Sequence, residues 1–294
     1  MQYLLILAAD ALLAGCFAFQ KKYQSIAGAS IKATLTYNAF VNLGKWIIFA
    51  ILGLFGVFSV QISVFSVIVA TAAAAFYLSY TAIGFKLLRM GNMPLYTMFL
   101  MTGGMLVPYV FGLVYLDEIF SVLRFFGIIL IVLAVVISNM GAIKPTKKQL
   151  FMCCAVFFLN GFMSVTAKIH QADIGAHLNP VNTQSYILIM SAIKVIICFL
   201  IVFTMKRKKK REQSNVPFLK VLPVYILSAL FDGCSYYLQL IGAKDIPAGV
   251  LYPLITAGSI ILSAFAGMIV FDEKPSKNQW IAMAVCLAGT CMFI

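Results

Sequence analysis

A chain of 294 residues with 63% hydrophobic and only 11% charged side chains, and a mean hydropathy of +1.00, cannot clothe itself in polar groups in water. This excludes a soluble enzyme or binding module and leaves lipid as the solvent. The net charge of +13 does not point to nucleic acid, because the basic residues stand between apolar runs rather than on one folded face; they fit anchors facing anionic headgroups.

Ten apolar runs follow one another, at about 3–20, 33–57, 62–85, 93–116, 120–139, 149–169, 181–205, 221–243, 247–271 and 278–294. Each approaches the roughly 20 residues a membrane span needs. Backbone in lipid must satisfy its own hydrogen bonds, so the expectation is an all-α membrane protein of ten transmembrane helices. The first run lacks a basic leader, carries Asp10 in its middle and has a counterpart later in the chain, so it reads as a mature span rather than a signal peptide. Pro94, Pro180 and Pro247 fall near span starts, where proline costs little. Pro108 and Pro253 lie inside the fourth and ninth runs and are expected to kink or interrupt them.

The seven cysteines all lie inside apolar runs, as small packing residues do, and outside the loops a disulfide framework would use. His170 and His177 are the only histidines, which does not make a structural zinc site. No Walker-type phosphate loop, HExxH pair, dinucleotide fingerprint or ordered nucleophile–base set is present. The chain is therefore expected to be no enzyme and to need no metal or cofactor.

Loop charge gives an orientation. The first, third, fifth, seventh and ninth loops carry most of the lysine and arginine, from Lys21 and Lys22 through the run 206–211 to Lys274 and Lys277. The even loops hold Arg124 and Lys244, with Lys168 at a border. Positive-inside asymmetry places the basic odd-numbered loops in the cytoplasm and both termini outside.

The chain also resembles itself. Tyr37, Lys45, Ile47 and Ile48 match Tyr186, Lys194, Ile196 and Ile197 at one offset. Ile83, Gly84 and Lys86 match Ile241, Gly242 and Lys244. Gly103, Gly112 and Asp117-Glu118 match Gly258, Gly267 and Asp272-Glu273, and Gly15 and Lys22 match Gly161 and Lys168. Mid-span lysines and adjacent acidic pairs are rare in such a composition, so these matches carry the weight. The unit contains five spans, an odd number, so a second copy enters the membrane from the opposite side. Two inverted repeats, 1–143 and 144–294, follow, a recurring transporter plan.

Five plus five spans with an acidic pair after the fourth and the ninth resemble the EamA-type drug/metabolite transporters, over essentially the whole chain. The resemblance implies alternating access through a central cavity, with spans 5 and 10 peripheral. It implies cargo among amino acids, sugars, nucleotide derivatives, drugs and other metabolites. Many members of that family keep both termini in the cytoplasm, opposite to the orientation read from loop charge.

Four ionisable residues sit near the middle of their spans: Asp10, Lys45, Lys194 and Asp232. Each ionised group at a helix centre costs roughly 2.5–3.5 kcal/mol on insertion scales, so all four should face the bundle interior or a hydrated cavity. One reading makes Lys45 and Lys194 the binding site for an anionic group of a solute, with Asp10 or Asp232 carrying a proton. The other makes two Asp–Lys pairs that fix helix packing. Tyr37, Tyr186, Asn38, Asn42 and Asn160 are candidate solute contacts, with helix-to-helix hydrogen bonding as the competing role. Tyr236, Tyr237 and Gln239 are similar. The glycines at 103, 112, 258 and 267 read as close helix contacts, and the acidic pairs as solvated loops or helix caps. The expected activity is secondary active transport of small metabolites or drugs by alternating access, possible cargo being anionic or zwitterionic solutes moved with protons or by exchange. The expected partners are a small-molecule solute and the lipid bilayer, without nucleic acid, as a monomer or homodimer in the cell membrane. A non-transporting scaffold or sensor with the same fold is the alternative, and an intramembrane enzyme the third reading.

Overall fold

The computed structural model describes residues 2–28, 30–90, 93–140, 146–172, 178–206, 217–272 and 274–293. Among them are ten α-helices: α1 (Gln2–Ala27), α2 (Ile31–Leu54), α3 (Val64–Arg89), α4 (Met93–Tyr115), α5 (Val122–Ser138), α6 (Lys147–Gln171), α7 (Thr183–Lys206), α8 (Phe218–Asp245), α9 (Ala248–Phe271) and α10 (Lys277–Thr290). A 3-10 turn over Cys291–Phe293 follows. Each matches one apolar run within a few residues. The proposed boundary at 143/144, His177, Glu273 and most of the basic run 206–211 lie outside the described residues.

Eight helices are long and apolar enough to cross a membrane. The other two, α5 and α10, have 17 and 14 residues. At 1.5 Å per residue these reach only about 25 and 21 Å, short of a hydrocarbon core of about 30 Å. Polar caps set where they start. The Ser121 hydroxyl accepts the Arg124 N–H, and Ser276 and Gln279 form a reciprocal capping box at α10. Thr146 and Gln149 do the same for α6. Pro108 and Pro253 do not interrupt their helices, since α4 and α9 run through them.

α2 packs along α7, α1 along α8, and α3 along α6. α4 packs on α6 and α9, α9 on α1, and α5 lies against α10 at the margin. Small residues permit the tightest crossings. At Gly103 a Cβ would run into the backbone of Phe157, so α4 and α6 meet at main-chain distance. At Gly258 a Cβ would overlap the Asp10 carboxylate, which seats α1 on α9. Gly112 instead faces the Glu118 side chain, and the Gly267 carbonyl accepts the closing N–H of α9 from Asp272.

Candidate functional site

Between the two layers of long helices lies a cavity of about 370 Å³, lined by residues of α1–α4 and α6–α9. Helices α5 and α10 contribute none of its lining. The cavity sits at mid-bundle because the long helices place their polar residues there. Of the sequence candidates, Tyr37, Asn38, Asn42, Lys45, Asn160, Lys194 and Asp232 line it.

Lys45 is 5% exposed, and its Nζ donates to Asp232 Oδ2 at 2.5 Å. This bond joins α2 to α8. Lys194 is equally buried but differently partnered. Its ammonium lies 4.2 Å from the centroid of the Tyr77 ring and 6.0 Å from that of Tyr236. Among the described residues no carboxylate comes within ion-pair range of it. The two Asp–Lys pairs of the packing alternative thus reduce to one. With all three groups ionised, the cavity wall carries two cations and one anion, and such a wall attracts a negative group.

The polar lining is only partly self-satisfied. The Tyr77 hydroxyl donates to Asn38 Oδ1 at 2.9 Å, and the Tyr37 hydroxyl to Ser228 Oγ at 2.8 Å. The Asn160 amide donates to the Leu100 carbonyl at 2.7 Å, a helix-to-helix bond. Asn42 spends its amide N–H on the Asn38 carbonyl of its own helix, which leaves Oδ1 buried without a partner. A buried acceptor left open is costly, and this one lies on a residue that lines the cavity.

Two candidates fall elsewhere. Tyr186 does not line the cavity: it is fully buried, its ring stacked on His170 with centroids 3.9 Å apart. It lies in the first turn of α7, two turns before Lys194, and packs on α6. Asp10 is 2% exposed, wedged against Gly258 with Oδ1 unpartnered, and is no part of the cavity wall. Tyr236 and Gln239 line the cavity, whereas Tyr237 accepts a hydrogen bond from Gln184 outside it.

Sequence reasoning passed over Tyr77, Tyr80, Ser164 and Tyr252, all of which line the cavity. Tyrosines inside spans are common, and only Tyr77 carried a signal, falling one position out of register with Tyr236 under the repeat. The acidic pair after α4 proves to be a cap across the bundle. Glu118 accepts the backbone N–H groups of Ala248 and Gly249 at 2.5 and 2.9 Å, and so completes the start of α9, which has no side-chain cap of its own.

The model of the EamA-like transporter family matches residues 147–294, from the first residue of α6 to the end of the chain. The chain belongs to the EamA-like transporter family. Membership makes it a membrane transporter of the drug/metabolite transporter superfamily, which agrees with its apolar helices. Among solved structures, 28 chains match. One, titled only as the crystal structure of a protein, superposes with a TM-score of 0.74 at 16% identity, covering 97% of this chain and 94% of its own. At that identity the likeness extends to the fold alone. The comparison with curated proteins returned no match.

Proposed function

We propose that this EamA-family protein is a secondary active transporter that carries small anionic or zwitterionic solutes by alternating access of two inverted halves, 1–143 and 144–294. The helix pairing supports the symmetry. Exchanging each helix for the one five places along turns α1 on α8 into α6 on α3, and α4 on α6 into α9 on α1, while α2 on α7, α4 on α9 and α5 on α10 map onto themselves. The chain reversals agree: Asp117 and Asp272 both take left-handed backbone angles, φ 51° and 52°. The preceding helices close onto the Gly112 and Gly267 carbonyls.

The observation that carries the solute class is the Lys194 ammonium, held in the cavity wall without a carboxylate partner among the described residues, alongside an already neutralised Lys45–Asp232 pair. A carboxylate or phosphate entering the cavity would complete Lys194. An ammonium or hydroxyl donor on the same solute would find Asn42 Oδ1. The transport cycle is driven by a proton gradient or by exchange for a counter-solute. Asp232, in the cavity wall, is the better placed of the two carboxyl candidates to exchange a proton with the lumen. We further place the basic odd-numbered loops in the cytoplasm of a multi-pass cell-membrane protein, on loop charge alone.

Flux into proteoliposomes tests the reading. Radiolabelled monocarboxylates, phosphate esters, amino acids and organic cations are offered under an imposed gradient, to the wild-type protein and to Lys194→Gln. Anionic or zwitterionic solutes should move, and the variant should move them at least tenfold more slowly. Flux confined to organic cations, or unchanged anion flux in the variant, would defeat the reading.

A further inference from the structure

One end of the bundle collects the α2–α3, α4–α5, α6–α7 and α8–α9 connections, and there hydrogen bonds join the two halves beside apolar packing of Ala70 and Phe58 on Val181 and Ile187 and of Tyr109 on Val250. Ser66 on α3 is fully buried, with Oγ 2.9 Å from His170 Nε2 on α6, and it accepts the Val181 N–H at 3.0 Å. Beside it the Gln61 N–H donates to Ser185 Oγ at 3.0 Å, the Asn182 N–H donates to Gln61 Oε1 at 3.1 Å, and Asn182 Nδ2 donates to the Ser59 carbonyl at 2.7 Å. The second junction is Glu118 on the start of α9. Both cross from residues 1–143 to residues 144–294.

These junctions lie directly behind one end wall of the cavity. Ala167, Ala243 and Leu251 line that wall. Lys168, the next residue after Ala167, donates to the carbonyls of Ala243 and Ile246 at 2.9 and 2.6 Å, which holds α6 and α8 of the second half together as one panel. Leu251 follows two residues after Gly249, which Glu118 holds. At the opposite end Tyr23, Tyr37, Phe40, Tyr225 and Phe218 stack in an aromatic cluster, and the halves also share the Tyr37–Ser228 and Tyr225–Tyr23 hydrogen bonds.

The polar junctions bear on how this end parts. A hydrogen bond between two protein groups contributes only about 0.5–1.5 kcal/mol net, because water replaces the lost partner when the surfaces separate. We propose that the Ser66–His170 clasp and the Glu118 cap on α9 are the two latches of a closed gate, which parts to connect the cavity with the membrane face bearing these connections. The proposal rests on the alternating-access reading above, and it assigns to the acidic residue after α4 a role in the cycle.

Cys16 supplies the reporter, because it is a free thiol that lines the cavity. Its alkylation by a charged, membrane-impermeant maleimide, offered from each face of sealed vesicles in turn, is followed by peptide-resolved mass spectrometry on the full chain. Glu118→Gln keeps the shape and removes the charge. It should speed Cys16 labelling from the latched face about tenfold, the equivalent of one charge-assisted hydrogen bond. Ser66→Ala should speed it about threefold. Should a latch variant fail to fold, Gln61→Cys with Ser185→Cys, tethered by a short bifunctional reagent, works in the opposite direction: labelling from the latched face falls below wild type, and labelling from the other face persists. Unchanged labelling in the folded latch variants, acceleration only from the opposite face, or free labelling of the tethered protein from the latched face would each overturn the gate. The measurement uses no solute, so it separates from the flux test: faster labelling without flux would leave the gate standing and sink the transport reading.

Discussion

Under the proposed repeat Lys45 and Lys194 stand at matching positions, and the structure gives them unlike surroundings. Both are buried and both line the cavity. Yet one donates to Asp232 on α8, while the other lies over the face of Tyr77 on α3. On the proposed repeat, the two equivalent positions for a cation take their partners from the neighbouring helices. Position 232 carries a carboxylate in the second half. In the first half α3 presents a tyrosine ring, which attracts a cation without neutralising it. On the proposed reading, one lysine is a structural tie and the other a charge kept open for the solute.

The largest expected effect follows from breaking the tie. Lys45→Met leaves Asp232 as an uncompensated carboxylate. Breaking a buried pair costs about 3–5 kcal/mol, and the low end applies here because Asp232 keeps 29% of its side-chain surface exposed. Adding Asp232→Asn should restore most of the loss. Denaturant or thermal unfolding in detergent, run as a double-mutant cycle, measures the coupling. Simply additive losses would mean that the two residues are not a tie, and the contrast with Lys194 would disappear.

Next comes the open charge. Lys194→Gln removes a buried cation that has no carboxylate to leave stranded, so unfolding should occur at the same temperature or higher, while anion flux falls at least tenfold. A stability loss as large as that of Lys45→Met would show that Lys194 is also a packing element and that the two lysines do not differ in kind.

The comparison also marks how far the sequence was readable. All ten helices were legible, because in lipid an apolar run of sufficient length has one backbone solution. The start of α10 was legible as well, since Ser276 and Gln279 belong to the polar stretch 272–279, whereas the 3-10 turn over Cys291–Phe293 was not. The candidate site was legible wherever a charge at mid-depth had to be accounted for, as with Lys45, Lys194 and Asp232. It was not legible at Tyr186, which matches Tyr37 in sequence but packs on His170, nor at Asp10, which packs on Gly258. Depth along a helix can be counted from the sequence, but the face a side chain presents depends on the neighbour it meets. Glu118 was read as a solvated loop or cap. It is indeed a cap, on a helix 130 positions away, and only the folded chain brings the two together.

Tyr77 offers the finest test of the contrast. Its ring holds the Lys194 ammonium, and its hydroxyl holds Asn38, so one side chain sets two groups of the cavity wall. Tyr77→Phe keeps the ring face and frees Asn38 Oδ1, whereas Tyr77→Leu removes both. A cation–π contact contributes about 0.5–2 kcal/mol, and a neutral hydrogen bond about 1 kcal/mol. The affinity for an anionic solute should therefore fall about threefold in the Phe variant and about tenfold in the Leu variant, as read from concentration-dependent flux or thermal shift, with maximal flux changed less than the half-saturating concentration. If Leu and Phe behave alike, the ring face does not hold the ammonium in place, and the hydroxyl bond to Asn38 is all that Tyr77 contributes. If neither variant differs from wild type, Lys194 is positioned by its own helix, and the asymmetry between the two lysines rests on Asp232 alone.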